Sequence, residues 1–239
     1  MSGQRSRWSP SLGGRLLAVG LAGGLAVSLV ATSAGVAGAG TSPQIAQARK
    51  DLLVLKDLPK GWTSSKAGSS SNSTPGAAQL ARCLGVPLSV ITAKPPTAFS
   101  RNFNSKDGQL TVQDNVSIYP SAQAAQADFG TFSNPKTPAC LTSNDNGPGR
   151  AQMASETGAG KGLGQVEVSR EPAGNFAKHT ANYVTFIPIT SAQQTLNVQF
   201  TVVDYIKGNE EQTVAFTSYN GQFPAALSRH LTTVAAGRL

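Results

Sequence analysis

The chain has 239 residues, 39% hydrophobic and 13% charged, with 20 Lys and Arg against 12 Asp and Glu for a formal charge of +8. Three of those cations, Arg5, Arg7 and Arg15, stand at the N-terminus, and the others are scattered with no Lys/Arg run or basic helix face, which excludes a nucleic-acid footprint. Two cysteines and two histidines without C-x-x-C or H-E-x-x-H spacing give no reason to expect a metal or a cofactor.

Residues 1–39 read as a secretory signal: a basic start without acidic residues, the apolar run Leu16 to Val30, and the A-x-A tail Ala37-Gly38-Ala39. Cleavage after Ala39 is one expectation; retention of Leu16 to Gly40 as a single-pass anchor is the other. No cysteine precedes Cys83, so a lipid-bearing N-terminus is not expected. The 200 residues after Ala39 carry 17 Lys and Arg against 12 acids, and suffice for one domain of good size or two small ones. The destination is outside the cytoplasm, secreted or at the cell envelope, with membrane contact only if the first segment is kept. There Cys83 and Cys140 are expected to form one disulfide.

Ser42-Pro43 opens a helix over Gln44 to Leu55, stopped by Pro59-Lys60-Gly61. Ala67 to Ala78, AGSSSNSTPGAA, reads as a mobile linker, so residues 40–75 form a leading segment and 76–239 the domain. Ala77 to Leu84 is a short helix presenting Cys83. Thr97 to Asn104 and Gln109 to Tyr119 are strands joined at Asp107-Gly108, and Ala122 to Phe132 is a helix started by Ser121. Asn134 to Leu141 returns Cys140 to the core, and Asn144 to Gly164 reads as a long Gly-rich loop. Strands follow at Gly164 to Arg170, Ala181 to Ile189, Thr195 to Lys207 and Glu211 to Tyr219, with a hairpin turn at Lys207-Gly208-Asn209. Pro224 to Ala236 closes the chain as a helix. Blocks of helices and strands point to an α+β fold, a twisted antiparallel sheet of about six strands with helices mainly on one face.

Gly158 to Gly164, GAGKGLG, imitates a phosphate loop, but Gly162 stands where Ser or Thr would hold the metal, and no helix follows. Asp114 and Asp204 fall on the apolar register of their strands. They read either as two carboxylates lining a cleft or as groups settled at strand edges, in bulges or in ion pairs. His179 and His230 have no partner at metal-ligand spacing, and no G-x-S-x-G elbow exists. No catalytic residue is expected. Trp62, Tyr183, Phe186, Phe200 and Phe216 are read as core aromatics, with an apolar pocket as the other reading.

Leu58-Pro59-Lys60-Gly61-Trp62, Cys83-Leu84-Gly85-Val86-Pro87, Val116 to Ser121 before an Ala-rich helix, and Pro138-Ala139-Cys140-Leu141 follow one another in an order seen elsewhere. Over residues 45 to 236 the chain resembles exported actinobacterial proteins, the group of the PknH-type extracellular sensor domain and the LpqN-like lipoproteins. The resemblance implies an α+β domain with a twisted antiparallel sheet and a cleft, and no transferable catalytic residues. The chain departs from it in having two cysteines where the sensor domains use two disulfides, no preceding kinase, and no lipid-bearing cysteine. The expectation is an exported binding or sensor-like module for an unidentified envelope or extracellular ligand. The alternatives are a carrier of a lipid or other hydrophobic molecule and, third, an unrecognised hydrolase. An enclosed apolar pocket would favour the carrier, a polar cleft the module, and carboxylates converging with His179 or His230 the hydrolase.

Overall fold

The computed structural model describes residues 43–67, 75–92, 94–191 and 194–239. The signal or anchor segment lies outside them, as does most of the Ser/Gly-rich linker. Among the described residues no helix is long and apolar enough to cross a membrane.

The fold is α+β, with an antiparallel sheet at its centre. In chain order the strands are β1 (Thr63–Ala67), β2 (Thr97–Phe99), β3 (Arg101–Asn104), β4 (Leu110–Ile118), β5 (Glu167–Arg170), β6 (His179–Ser191), β7 (Gln194–Lys207) and β8 (Glu210–Tyr219). Their spatial order is β1-β3-β4-β8-β7-β6-β5, with β2 also pairing β4. Two of the eight escaped the pattern read from sequence. β1 is short and polar, and the Thr97 to Asn104 strand breaks at Ser100. There one extra residue shifts the pairing with β4, so that Ala98 faces Val116 and Phe103 faces Val112. The hairpin of β7 and β8 turns at Gly208-Asn209, between the pair Lys207 and Glu210, with Gly208 at φ +64.

Helices cover both faces. On one lie α2 (Ala77–Leu84), α4 (Ala122–Phe132), α5 (Thr137–Asn146) and α6 (Arg150–Glu156), with the short α3 (Leu88–Thr92) packed on α2. Phe129 and Phe132 of α4 meet Ala181, Tyr183, Val202 and Ile206, and Met153 of α6 meets Ile187 and Val198. The opposite face carries α1 (Pro43–Asp51) and α7 (Ala225–Ala236), over Val112, Val203, Tyr205, Val214 and Phe216. The helices thus lie mainly on one face, as expected, and α1 and α7 form a smaller second layer on the other. The central strands β4 and β8 bury residues of both registers, which requires cover on both sides. The leading segment 40–75 contributes to this layer: Ala48 and Leu52 pack on Ala98, Val116 and Ile118.

Cys83 of α2 is bonded to Cys140 of α5, with their Cα atoms 5.7 Å apart, amid Leu80, Leu84, Ile91 and Leu141. The stretch from Asn144, expected as a loop, instead continues α5 and forms α6. Long-range bonds hold it: Asn146 accepts from the N–H of Val166 at 2.8 Å and donates to its carbonyl at 2.7 Å, and the Arg150 guanidinium donates to the carbonyl of Gly164 at 2.9 Å.

Two glycines of the string, Gly162 and Gly164, are explained by close approach to β6, and Gly158 and Gly160 by positive φ. Gly164 N–H donates to the Pro188 carbonyl at 2.7 Å, and Leu163 bridges Ile189. A Cβ on Gly162 would stand 1.9 Å from the Thr190 carbonyl oxygen. Gly162→Ala is thus expected to destabilise by about 2 kcal/mol through forced displacement, whereas Lys161→Ala on the exposed side should leave the melting temperature unchanged. Thermal unfolding of the two variants checks this, and equal stability of both would defeat the packing account.

Candidate functional site

The helix layer of α1 and α7 stops short of β5 and β6, leaving part of that sheet face open. On it one row of paired residues runs Glu167, Phe186, Gln199, Ser218 across β5, β6, β7 and β8. In the next row Pro188 faces Asn197, whose carbonyl accepts the N–H of Asn220 at 2.7 Å while Asn220 Oδ1 accepts the N–H of Asn197 at 3.1 Å. Asn220 sits at φ +59, which its short polar side chain tolerates and which turns the chain back over the end of β7. Gly221 and Gln222 beyond it, with Gln165 before β5, complete an open groove of about 460 Å³. Its walls mix amide side chains with the apolar Phe186, Ile187 and Pro188, and Glu167 is their charged group.

Phe186 departs from the expected core position. It is 41% exposed, because its register on β6 points to the part of the α1 and α7 face that neither helix reaches. Tyr183 and Phe216 are buried as expected, while Trp62 and Phe200 are half-buried against the core. Sequence reading passed over the groove amides, since Asn197 and Gln199 lie on the wet register of β7 and read as ordinary surface. The available signal was that this register carries amides where a solvated strand more often carries Lys or Glu.

Asp114 and Asp204 do lie on apolar registers, but on opposite faces of the sheet. Asp114 is wholly buried under α1: its Oδ2 accepts from Leu53 N–H at 3.0 Å and from Gln212 Nε2 at 2.9 Å. Burial pushes its pKa up to about 6, against the opposing pull of those bonds. Asp204, 2% exposed, lies on the α4 face, where its Oδ1 accepts from Thr213 Oγ1 at 3.0 Å. Gln212 and Thr213 are successive residues of one strand, so the two carboxyls are held by opposite sides of β8.

What joins Asp204 is a set of acids from distant parts of the chain. Glu211 lies diagonally across the β7/β8 pair, and its carboxyl hydrogen-bonds those of Asp204 and Asp128 of α4. The Tyr119 hydroxyl contacts Asp128 Oδ2 at 2.7 Å and also Glu211 Oε2. Tyr119 is fixed there by the hairpin turn, its N–H donating to the Asn209 carbonyl and its own carbonyl accepting from Asn209 Nδ2, each at 2.9 Å. A tyrosine hydroxyl has one proton to give, so two carboxyls around it cannot both be satisfied as anions. Burial, then the Glu211 charge, raises Asp128 to about 9 and Asp204 well above its ordinary range, and burial raises Glu211 too. The three acids share hydrogen bonds beneath α4, closed to solvent, where burial favours their protonated forms.

Neither histidine joins a carboxylate. His179 opens β6 with its ring 6.0 Å from that of Phe129, and His230 is exposed on α7. Among the described residues no group of three or more His, Cys, Asp or Glu is arranged to hold a metal ion.

No family model matches the chain, and no curated protein matches it. Among solved structures it is similar to the extracellular domain of PknH from Mycobacterium tuberculosis, at 9% identity and a TM-score of 0.44, over 81% of this chain and 95% of that one.

Proposed function

We propose that the chain is an extracytoplasmic module that acts by binding, and that the groove beside Phe186 is its ligand surface. The observation that carries the reading is an aromatic ring left 41% exposed beside amides on the uncovered part of a sheet face. Isolated exposed apolar residues are ordinary, but one set in a concavity with convergent polar groups is the usual form of a recognition site. The Cys83–Cys140 disulfide supports the location, since such bonds persist in oxidising compartments. A lipid carrier would need an enclosed apolar cavity, and the groove is open and of mixed polarity. The buried acids offer no access to substrate, which supports binding over catalysis.

The test is backbone NMR of the ¹⁵N-labelled protein titrated separately with neutral tetrasaccharides, an uncharged extended peptide and a C16 fatty acid. At least one class is expected to shift amides of residues 165–167, 186–188, 197–199 and 220–222 together, and Phe186→Ala to abolish the shifts. Perturbations elsewhere, or none with all three classes, would overturn the assignment.

A further inference from the structure

Resting on that reading of the groove, we infer that its ligand is a neutral oligosaccharide, laid across the strands with one pyranose ring stacked on Phe186. The first reason is hydrogen-bond chemistry. Gln165, Asn197, Gln199 and Gln222 each carry a carbonyl acceptor and an NH2 double donor. Adjacent sugar hydroxyls, each a donor and an acceptor, are the complement of such a set. Gln199 is partly committed within the protein, its Nε2 reaching Thr201 Oγ1 at 3.5 Å, so Gln165, Asn197 and Gln222 carry most of this set.

The second reason is charge. The lining contains no Lys or Arg, and its one ionisable group is Glu167. A phosphate, sulfate or carboxylate ligand would meet no cation and one like charge, whereas a neutral polyol can donate to Glu167 from two hydroxyls. The third reason is shape. Phe186 presents a ring whose face is electron-rich, the surface against which the C–H groups of a pyranose pack. The lining part of the row, from Glu167 through Phe186 to Gln199, crosses three strands, about 10 Å at ordinary strand spacing. This suits a short chain of sugars better than a single ring, and the open, half-polar lining would leave an acyl chain exposed to water.

The experiment is isothermal calorimetry and the same NMR mapping with maltotetraose, cellotetraose, chitotetraose and anionic tetragalacturonate. At least one neutral tetrasaccharide is expected to bind at the groove, with tetragalacturonate at least tenfold weaker. Phe186→Ala should weaken binding at least tenfold, while Phe186→Trp, which keeps a stacking face, should bind as well or better. Stronger binding of the anion, or binding indifferent to Phe186→Ala, overturns the inference. If the groove answers to the uncharged peptide or the fatty acid and to no sugar, the sugar assignment falls and the binding surface stands. If nothing binds there, both fall.

Discussion

Unfolding free energy is expected to fall as pH rises from about 4 to about 9, so that the protein is several kcal/mol more stable at pH 5 than at pH 9. The sign follows from the direction of the shifts. Asp114, Asp128, Asp204 and Glu211 all have folded-state pKa values raised above their ordinary ones, chiefly by burial. Each folded carboxyl therefore holds a proton that the unfolded chain gives up near pH 4. The stability this contributes is complete below the unfolded pKa and is lost as pH rises through the folded one, near 6 for Asp114 and 9 for Asp128. Asp204→Asn isolates the effect, because the amide can still accept from Thr213 and donate to Glu211 but cannot ionise. Measured by urea unfolding, it should be nearly neutral at pH 5 and stabilising by about 1–3 kcal/mol at pH 8. Equal destabilisation at both pH values would mean that Asp204 is a structurally required anion, and would sink the account.

The second large effect belongs to Cys83–Cys140. Joining residues 57 apart in sequence restricts the unfolded chain by about 4 kcal/mol on the loop-entropy argument. That is a large share of the 5–15 kcal/mol by which domains are typically stable. It also fastens α2 to α5, whose shared cluster of Leu80, Leu84, Ile91 and Leu141 is small beside the central core. Replacing both cysteines with serine should lower the urea midpoint accordingly. Hydrogen exchange should rise first in α2 and α3. Dithiothreitol should then destabilise the wild type and leave the variant unmoved. A loss under 1 kcal/mol, or exchange rising evenly across the sheet, would contradict this role.

Much of the fold is legible in local pattern. The series Leu196, Val198, Phe200, Val202, Asp204, Ile206 predicts β7 and its face, and Asp-Gly and Gly-Asn mark turns whose glycines take positive φ. Asp204 stands out in that series as a carboxyl on a buried register. What was not legible is α5 and α6. The run Thr142-Ser143-Asn144-Asp145-Asn146 has neither helical periodicity nor good propensity, and its helix rests on bonds such as Asn146 to Val166, twenty residues on. The groove was hidden for a related reason: Phe186 looks like any strand aromatic until it is known how far across the sheet α1 and α7 reach.

Residue types and their spacing by themselves determined the α+β class, the main strands of the sheet, the likeness of the first segment to an export signal and the pairing of the only two cysteines, because each depends on neighbours a few residues apart or on a count. Tertiary structure alone decided that Asp114 and Asp204 part to opposite faces, that Tyr119 meets Glu211 across 92 positions, and that Phe186 faces solvent. These are set by strand order, register and the reach of the helix layers. Such quantities arise when distant segments pack, and no short window of sequence contains them.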